Sequence, residues 1–469
     1  MKKHPLSYSA SACEKFLSNC TSARETALYI LNILNQGSQT LDSILDVFHE
    51  KNQKLSTRDI SFFYALLYGV LRWRARLDWI INCFSKTSIN KITPNVLNIL
   101  RIGLFQIIYL DRVPVSAAVN TSVEITKKAA APWVAGYVNG VLRNAVRNIK
   151  NVTFPCFKKD QVTAIATIKS FPKWLIKDWL KRFGQKQICD LCDAINTIPD
   201  ITIRTNTLKT TREILGKAIF DHVENINDTC FAPQGISFSS PKIPIHETEA
   251  FKRGWFQVQD QAAQLVSIAL NPMPGQTVLD ACAGLGGKTG HIAGLMNNTG
   301  SLISIDNAKN KLAILKSEIN RLGITNVTCR EHDLNFPFTS KNKKRFDRVL
   351  LDAPCSGLGV LRRNPDTKWS SSKNGAELCA KKQIRFLDNL AGLVMPSGLL
   401  VYSVCSFQAE ENENVIKVFL NRHNEFDIIP PKLPMNAKSL VSENHCIKTL
   451  PNLKSNMDGF FIVVFKRRK

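Results

Sequence analysis

The chain has 469 residues, 44% of them hydrophobic and 21% charged, the balance of a globular protein of two or three domains. No stretch is long and apolar enough to span a bilayer, and residues 1–17 are polar, without the apolar run of a signal peptide. The formal net charge of +24, concentrated in residues 1–150 and 251–469 with a near-neutral middle, points to a polyanionic partner, nucleic acid above all.

Residues 20 to 150 read as all helical. A long stretch over 57–85 carries Phe62, Phe63, Leu66, Leu67 and Val70, followed by Arg72, Trp73, Arg74 and Arg76. Val96, Leu97, Leu100, Leu104, Ile107 and Ile108 recur at helical spacing, and Pro132 can open a further helix through Leu142 and Val146. A helical bundle with a basic flank results. Its Arg/Trp cluster could stack on RNA bases, or Trp73 could simply be a core residue beside solvated arginines.

The pattern breaks over 150–172, where Pro155 and Phe171-Pro172 punctuate a linker and lead into a helix over 174–183. A strand is expected over 201–207, a helix over 211–220, and short strands over 236–238 and 255–258. This gives a small α+β region over 165–258. The thirteen cysteines are scattered, with no repeated spacing, and read as reduced thiols of a cytoplasmic protein. Cys189 and Cys192 form a lone C-x-x-C without a second ligand pair, so no metal is expected.

From residue 259 strands and helices alternate. Strands are expected over 277–279, 302–305, 326–329, 346–351, 399–402, 426–429 and 460–465, with helices such as 310–322 and 410–423 between them. That rhythm defines a doubly wound α/β domain over 259–469. Its first strand runs into Asp280-Ala281-Cys282-Ala283-Gly284-Leu285-Gly286-Gly287-Lys288-Thr289. Glycines after strand one allow a tight turn and the close approach of a ligand.

The second strand ends in Asp306, placed to accept hydrogen bonds from both hydroxyls of a ribose. The third leads to Asp333, where a carboxylate could meet an adenine amino group. Each acid alone could be a loop residue or a helix cap. In this order at successive strand ends they fit an adenosine-containing cofactor. Gly287-Lys288-Thr289 imitates a phosphate loop, but that pattern needs glycine at Cys282. The turn is also not the dinucleotide G-x-G-x-x-G. S-adenosylmethionine, with a ribose and an adenine but no phosphate, suits it better.

Two cysteines follow later strands, Cys355 in Asp352-Ala353-Pro354-Cys355-Ser356-Gly357 and Cys405 in Tyr402-Ser403-Val404-Cys405-Ser406. Carbon 5 of cytosine is a poor nucleophile until a thiolate adds to carbon 6 and turns the ring into an enamine. A nearby acid that protonates or hydrogen-bonds ring nitrogen 3 would stabilise the adduct, and Asp352 is the candidate. A second thiol could assist release. The base must be unpaired or leave its stack to reach such a pocket.

These motifs resemble the RNA cytosine-5 methyltransferases, most closely the bacterial Sun/Fmu-type enzymes that act on small-subunit ribosomal RNA. The resemblance runs from about residue 20 to the C-terminus. It includes a NusB-like helical region around Leu100-Arg101-Ile102-Gly103, a connecting RRM-like region with Ile203-Arg204-Thr205-Asn206, and the lead-in Val258-Gln259-Asp260. It implies that Cys405 is the nucleophile, that Cys355 aids product release, and that S-adenosylmethionine contacts fall on residues 282–288 (Cys282, Ala283, Gly284, Leu285, Gly286, Gly287 and Lys288), Asp306, Asp333 and Asp352. It also implies a substrate-side loop at Arg362, Arg363, Asn364, Pro365, Asp366 and Trp369, for which a solvated basic turn is the alternative. Lys288 and Lys368 could touch phosphates, and the sequence leaves that open. The expected partner is small-subunit ribosomal RNA, free or partly assembled, bound by a monomer.

The chain departs from the family pattern twice. Gly284-Leu285 stands where Ala-Pro is usual, and Val404 where threonine is usual. These changes support one alternative, an RNA-binding assembly or antitermination factor with a vestigial methyltransferase domain.

Overall fold

The computed structural model describes residues 16–37, 39–51, 54–338, 345–452 and 455–469; nearly all of the polar stretch 1–17 lies outside them. The chain divides into two compact units. One comprises Met1–Asn196 with Pro365–Ser370, the other Thr197–Asn364 with Ser371–Lys469.

The first unit is all helical. Its helices are α1 (Ala23–Leu34), α2 (Leu41–Lys51), α3 (Thr57–Phe84), α4 (Pro94–Tyr109), α5 (Val115–Ala129), α6 (Pro132–Asn148), α7 (Gln161–Ile168) and α8 (Lys173–Asn196). Start signals act where the sequence places them. Ser22 and Ser56 accept the backbone N–H of Glu25 and Asp59, and Pro94 and Pro132 open their helices. The apolar stripes close on one core that includes Phe63, Leu67, Leu100, Leu104 and Val138. Gly103 is required by packing, since a Cβ there would lie 2.9 Å from both Leu142 and Ser122. Arg101 is buried and held bidentately by Asp78 at 2.6 and 2.8 Å. The Leu-Arg-Ile-Gly motif is therefore structural glue.

Trp73 is half-buried against the helical core: its ring stacks on Tyr109 at 5.1 Å between centroids and Arg76 lies over its face, while Arg72 beside it is buried rather than solvated. The helix expected over 174–183 ends where expected: Gly184 (φ 71°, ψ 174°) leaves the helical conformation and divides α8 into two helical segments.

In the second unit, β1 (Ile201–Thr205), β2 (Glu224–Asp228), β3 (Gly235–Ser239) and β4 (Phe256–Val258) form an antiparallel sheet in the order β2-β3-β1-β4, with α9 (Arg212–Ile219) packed on it through Leu215 and Ile219. The sequence does not reveal β2, because Glu-Asn-Ile-Asn-Asp is an exposed edge strand with no apolar face to alternate.

The large sheet of this unit contains β5 (Thr277–Asp280), β6 (Ser301–Asp306), β7 (Val327–Glu331), β8 (Phe346–Asp352), β9 (Val394–Val404), β10 (Phe426–Ile429), β11 (Ile447–Lys448) and β12 (Phe461–Arg467). Its order is β10-β12-β9-β8-β5-β6-β7, with β11 beside β12. The strands from β7 to β9 are parallel, and β12 runs antiparallel to β9. The helices flanking this sheet include α10 (Gln261–Leu270), α11 (Gly287–Leu295), α12 (Lys309–Leu322), α13 (Lys373–Ala391) and α14 (Glu413–Arg422).

The chain moves outward from β5 to β7, then returns to place β8 on the other side of β5. That reversal opens a crevice at the carboxyl ends of β5 and β8, the position where open α/β sheets bind ligands.

Candidate active site

The cofactor turn sits at that reversal. The residues after β5 turn back through Gly284 (φ +55°) and Gly286 (φ +88°), conformations that favour glycine. A Cβ at Gly286 would lie 2.2 Å from Leu315, whereas one at Gly284 would meet open space. The replaced proline position, Leu285, is exposed at the tip of the turn. The small sheet braces this turn from behind: buried Arg204 donates to the Gly287 carbonyl at 2.6 Å and to Gln257 at 2.9 Å. Asp260 caps α10 through the Ala262 N–H at 2.8 Å.

Asp306 joins the turn directly, accepting the Gly284 N–H at 3.0 Å on one oxygen and the Ala308 N–H at 2.9 Å on the other. Asp333 lies just past β7, where its Oδ1 accepts from the backbone and side chain of Asn335 at 2.9 Å. The neighbouring His332 N–H ties that loop to the Asp306 carbonyl at 3.1 Å. Both acids retain acceptor capacity for hydroxyl or amino donors.

Asp280 is fully buried. Its Oδ2 accepts from Thr289 at 2.7 Å, and its Oδ1 has no protein partner. A positively charged ligand group would satisfy that oxygen. Open space above Gly284, an orphaned buried carboxylate oxygen and acids at successive strand ends fit S-adenosylmethionine, which carries an ammonium, a sulfonium, a ribose and an adenine.

Burial pushes the pKa of Asp280 up to about 6, against the opposing pull of Thr289 and Lys288. A carboxyl whose folded pKa exceeds its unfolded value of about 3.9 carries no penalty below that pH. The penalty grows as pH rises and is complete above about 6. Asp280→Asn keeps an acceptor for Thr289 and is expected to stabilise the ligand-free protein by about 2–3 kcal/mol at pH 8. The gain should disappear near pH 4, and cofactor affinity should fall. Thermal melts at both pH values, with calorimetric titration of S-adenosylmethionine, check this. A lower melting temperature at pH 8 would contradict it.

The reacting groups converge from β8 and β9, which pair so that Asp352 lies opposite Ser403. Asp352 accepts the Ser403 hydroxyl at 2.7 Å on one oxygen and pairs with Lys288 through the other. Burial works against the Lys288 charge, but Asp352 outweighs it, and the lysine pKa is raised, with a smaller contribution from Cys405.

The Cys355 and Cys405 sulfurs lie 3.2 Å apart. The contact with Cys405 pushes the Cys355 pKa well up, and burial and the Glu411 charge add to it. Burial, then Asp280 and Asp352, hold the Cys282 thiol up as well. Val404 is buried opposite Phe461, so its side chain belongs to the core.

The structure corrects the expected substrate loop. Arg362 is buried against Asn456 at 2.6 Å, and Arg363 bridges Asp458 and Asp260 at 2.6 and 3.0 Å. Lys368 has no exposure; it donates to Asn196 at 2.7 Å and lies over the Phe171 ring, while Trp369 donates to the Leu71 carbonyl. These side chains are consumed by internal partners, and Lys368 cannot reach a phosphate. Conversely, Glu411, Gln383 and the Tyr402 hydroxyl form a buried network beside the thiols. Glu411 looks in sequence like one more charge of the acidic start of a helix, yet it precedes α14 and is fully buried. Its position six residues after Cys405 is the only hint.

Residues 267–466 match the family model described as 16S rRNA methyltransferase RsmB/F. Residues 21–147 match the NusB family, and 171–246 the ferredoxin-like domain of RsmF/B-like methyltransferases. The chain is 34% identical to the probable ribosomal RNA small subunit methyltransferase B of Bacillus subtilis (strain 168), over 96% of this chain and 99% of the relative. The crystal structure of PH0851 superposes with a TM-score of 0.77 at 25% identity, covering 96% of this chain and 99% of that one. NSun6 from Pyrococcus horikoshii, crystallised with SFG, superposes with a TM-score of 0.57 at 23% identity, covering 64% and 100%.

Fold and site together define an S-adenosylmethionine-dependent methyltransferase. The chain belongs to the RsmB/F family and is an rRNA methyltransferase. That membership decides against the vestigial-domain alternative. Among the described residues no helix is long and apolar enough to cross a membrane.

Proposed function

We propose that this enzyme methylates carbon 5 of one cytosine in small-subunit ribosomal RNA, through a covalent bond between Cys405 and carbon 6. The reading is carried by the two thiols 3.2 Å apart at adjacent strand ends, beside the Lys288–Asp352 pair. S-adenosylmethionine, when bound by the turn over 282–288 with Asp306 and Asp333, supplies an electrophilic methyl group.

The Cys405 thiolate adds to carbon 6, and the ring electrons move toward carbon 5, which becomes the nucleophile. As the adduct forms, ring nitrogen 3 takes a proton from water, returned on release, and Asp352 accepts a hydrogen bond from that N–H. After transfer, the carbon-5 proton passes to a water-borne base and the bond to Cys405 breaks. Cys355, kept as a thiol, donates to the departing sulfur. The enzyme works in the cytoplasm as a monomer. Bisulfite sequencing of ribosomal RNA with and without this gene tests the reading. One small-subunit cytosine should lose its protection, and an unchanged pattern would overturn it.

Helix α13 offers a path for the RNA backbone. Lys373, Lys381, Lys382 and Arg385 are exposed on it, while its Gln383 donates to the Pro354 carbonyl beside Cys355 at 3.0 Å. Lys381→Ala with Arg385→Ala is expected to raise the KM for RNA and leave kcat nearly unchanged. It should lower the salt-dependence slope of binding by about 1–2. Filter binding at several salt concentrations reads this directly, and an unchanged slope would remove the helix from the RNA path.

A further inference from the structure

We propose that Glu411 is a positioning residue that locks the two cysteine-bearing loops together and so sets the distance between the Cys355 and Cys405 thiols. This rests on the reading of those thiols as the reacting pair. Ser356 directly follows Cys355, and Ser406 directly follows Cys405. Glu411 grips both. Its Oε1 accepts the Ser356 N–H at 2.8 Å and the Gln383 amide at 3.2 Å. Its Oε2 accepts the Ser356 hydroxyl at 2.5 Å and the Ser406 hydroxyl at 2.6 Å. These four bonds fill the acceptor capacity of a carboxylate.

The group is fully buried, and its charge is met by those donors; no ion pair to it occurs among the described residues. An unpaired buried carboxylate is costly, so its presence where an apolar contact could have joined the loops calls for a reason. Short bonds to a charged acceptor are stronger and more directional than neutral ones, which suits the holding of two loops in register. The backbone of Glu411 is itself fixed, since its carbonyl lies 2.6 Å from the Tyr402 hydroxyl. The negative charge also lies on the Cys355 side of the pair, behind the Cys405 contact and burial as a cause of that thiol staying protonated. Lys288, in contrast, interacts with Cys405.

Diamide provides a test that does not depend on RNA. It takes up the two thiol hydrogens and two electrons, becomes the hydrazine, and leaves a Cys355–Cys405 disulfide that peptide mass spectrometry quantifies. In the full-length protein closure should be fast. Glu411→Ala should slow it about 10-fold, and kcat for RNA methylation should fall about 10- to 100-fold, with the KM for S-adenosylmethionine within about twofold of wild type.

Ser406→Ala should slow closure in the wild-type background and be silent beside Glu411→Ala. If the alanine variant does not fold, the test is carried by Glu411→Gln, which replaces one oxygen and the two bonds it accepts, and by the two serine variants, each removing one hydroxyl tie. Wild-type closure rates in the variants would overturn the clamp, even with a lowered melting temperature, as would an unchanged kcat. Slowed closure in a protein whose wild type never methylates RNA would uphold the clamp and overturn the functional reading instead.

Discussion

Cys405→Ser is expected to abolish RNA methylation, by about 10⁴-fold or more, without weakening S-adenosylmethionine binding. A serine hydroxyl is scarcely ionised near neutral pH and cannot build the carbon-6 adduct at a useful rate. Cys355→Ser should behave differently. With the nucleophile intact and release impaired, a covalent protein–RNA complex should accumulate and survive denaturing electrophoresis. The double variant should form none, because the adduct depends on Cys405.

The structure gives the reason for expecting unequal partners from two thiols only 3.2 Å apart. The contact with Cys405 first, then burial, then the Glu411 charge hold the Cys355 thiol well above the usual range, while Lys288 interacts with Cys405. A trapped complex in the Cys405→Ser protein, or its absence in Cys355→Ser, would reverse the assignment.

Much of this site is legible in the sequence because its parts sit on short, regular signals. A β-strand that ends in glycines announces a turn, and the acid at the next strand end bonds directly to that turn. The Asp-Ala-Pro-Cys and Tyr-Ser-Val-Cys-Ser segments each follow a run of aliphatic residues. The strand rhythm places them at strand ends, although it does not foretell that β12 returns antiparallel beside β9.

The sequence is silent where a side chain's meaning depends on burial. Arg362, Arg363 and Lys368 look like a basic loop ready for phosphate, yet each is consumed by partners distant in sequence, such as Asn456, Asp458 and Asn196. Glu411 errs in the other direction: an acid among acids in the sequence, it is the buried knot between two loops. Charge in a sequence tells which groups exist, and only the fold tells which of them face a ligand.

Lys288→Met is expected to lower methylation at pH 7 by about 10- to 100-fold. Lys288 is the first cation of the helix that follows the cofactor turn, paired with Asp352 and interacting with Cys405. Its ammonium holds the Asp352 carboxylate in place, so Lys288→Arg, which keeps the charge, should retain part of the rate.

The variant also leaves the Asp352 carboxylate without its counter-ion in a largely buried setting, and a destabilisation of up to about 3 kcal/mol is expected. Asp352→Asn added to Lys288→Met should recover most of that stability and none of the rate. The two roles of the pair therefore separate in one experiment. Melting temperature follows the balance of buried charge, and the rate follows the intact ion pair. A Lys288→Met enzyme that methylates at the wild-type rate would remove the pair from the reaction.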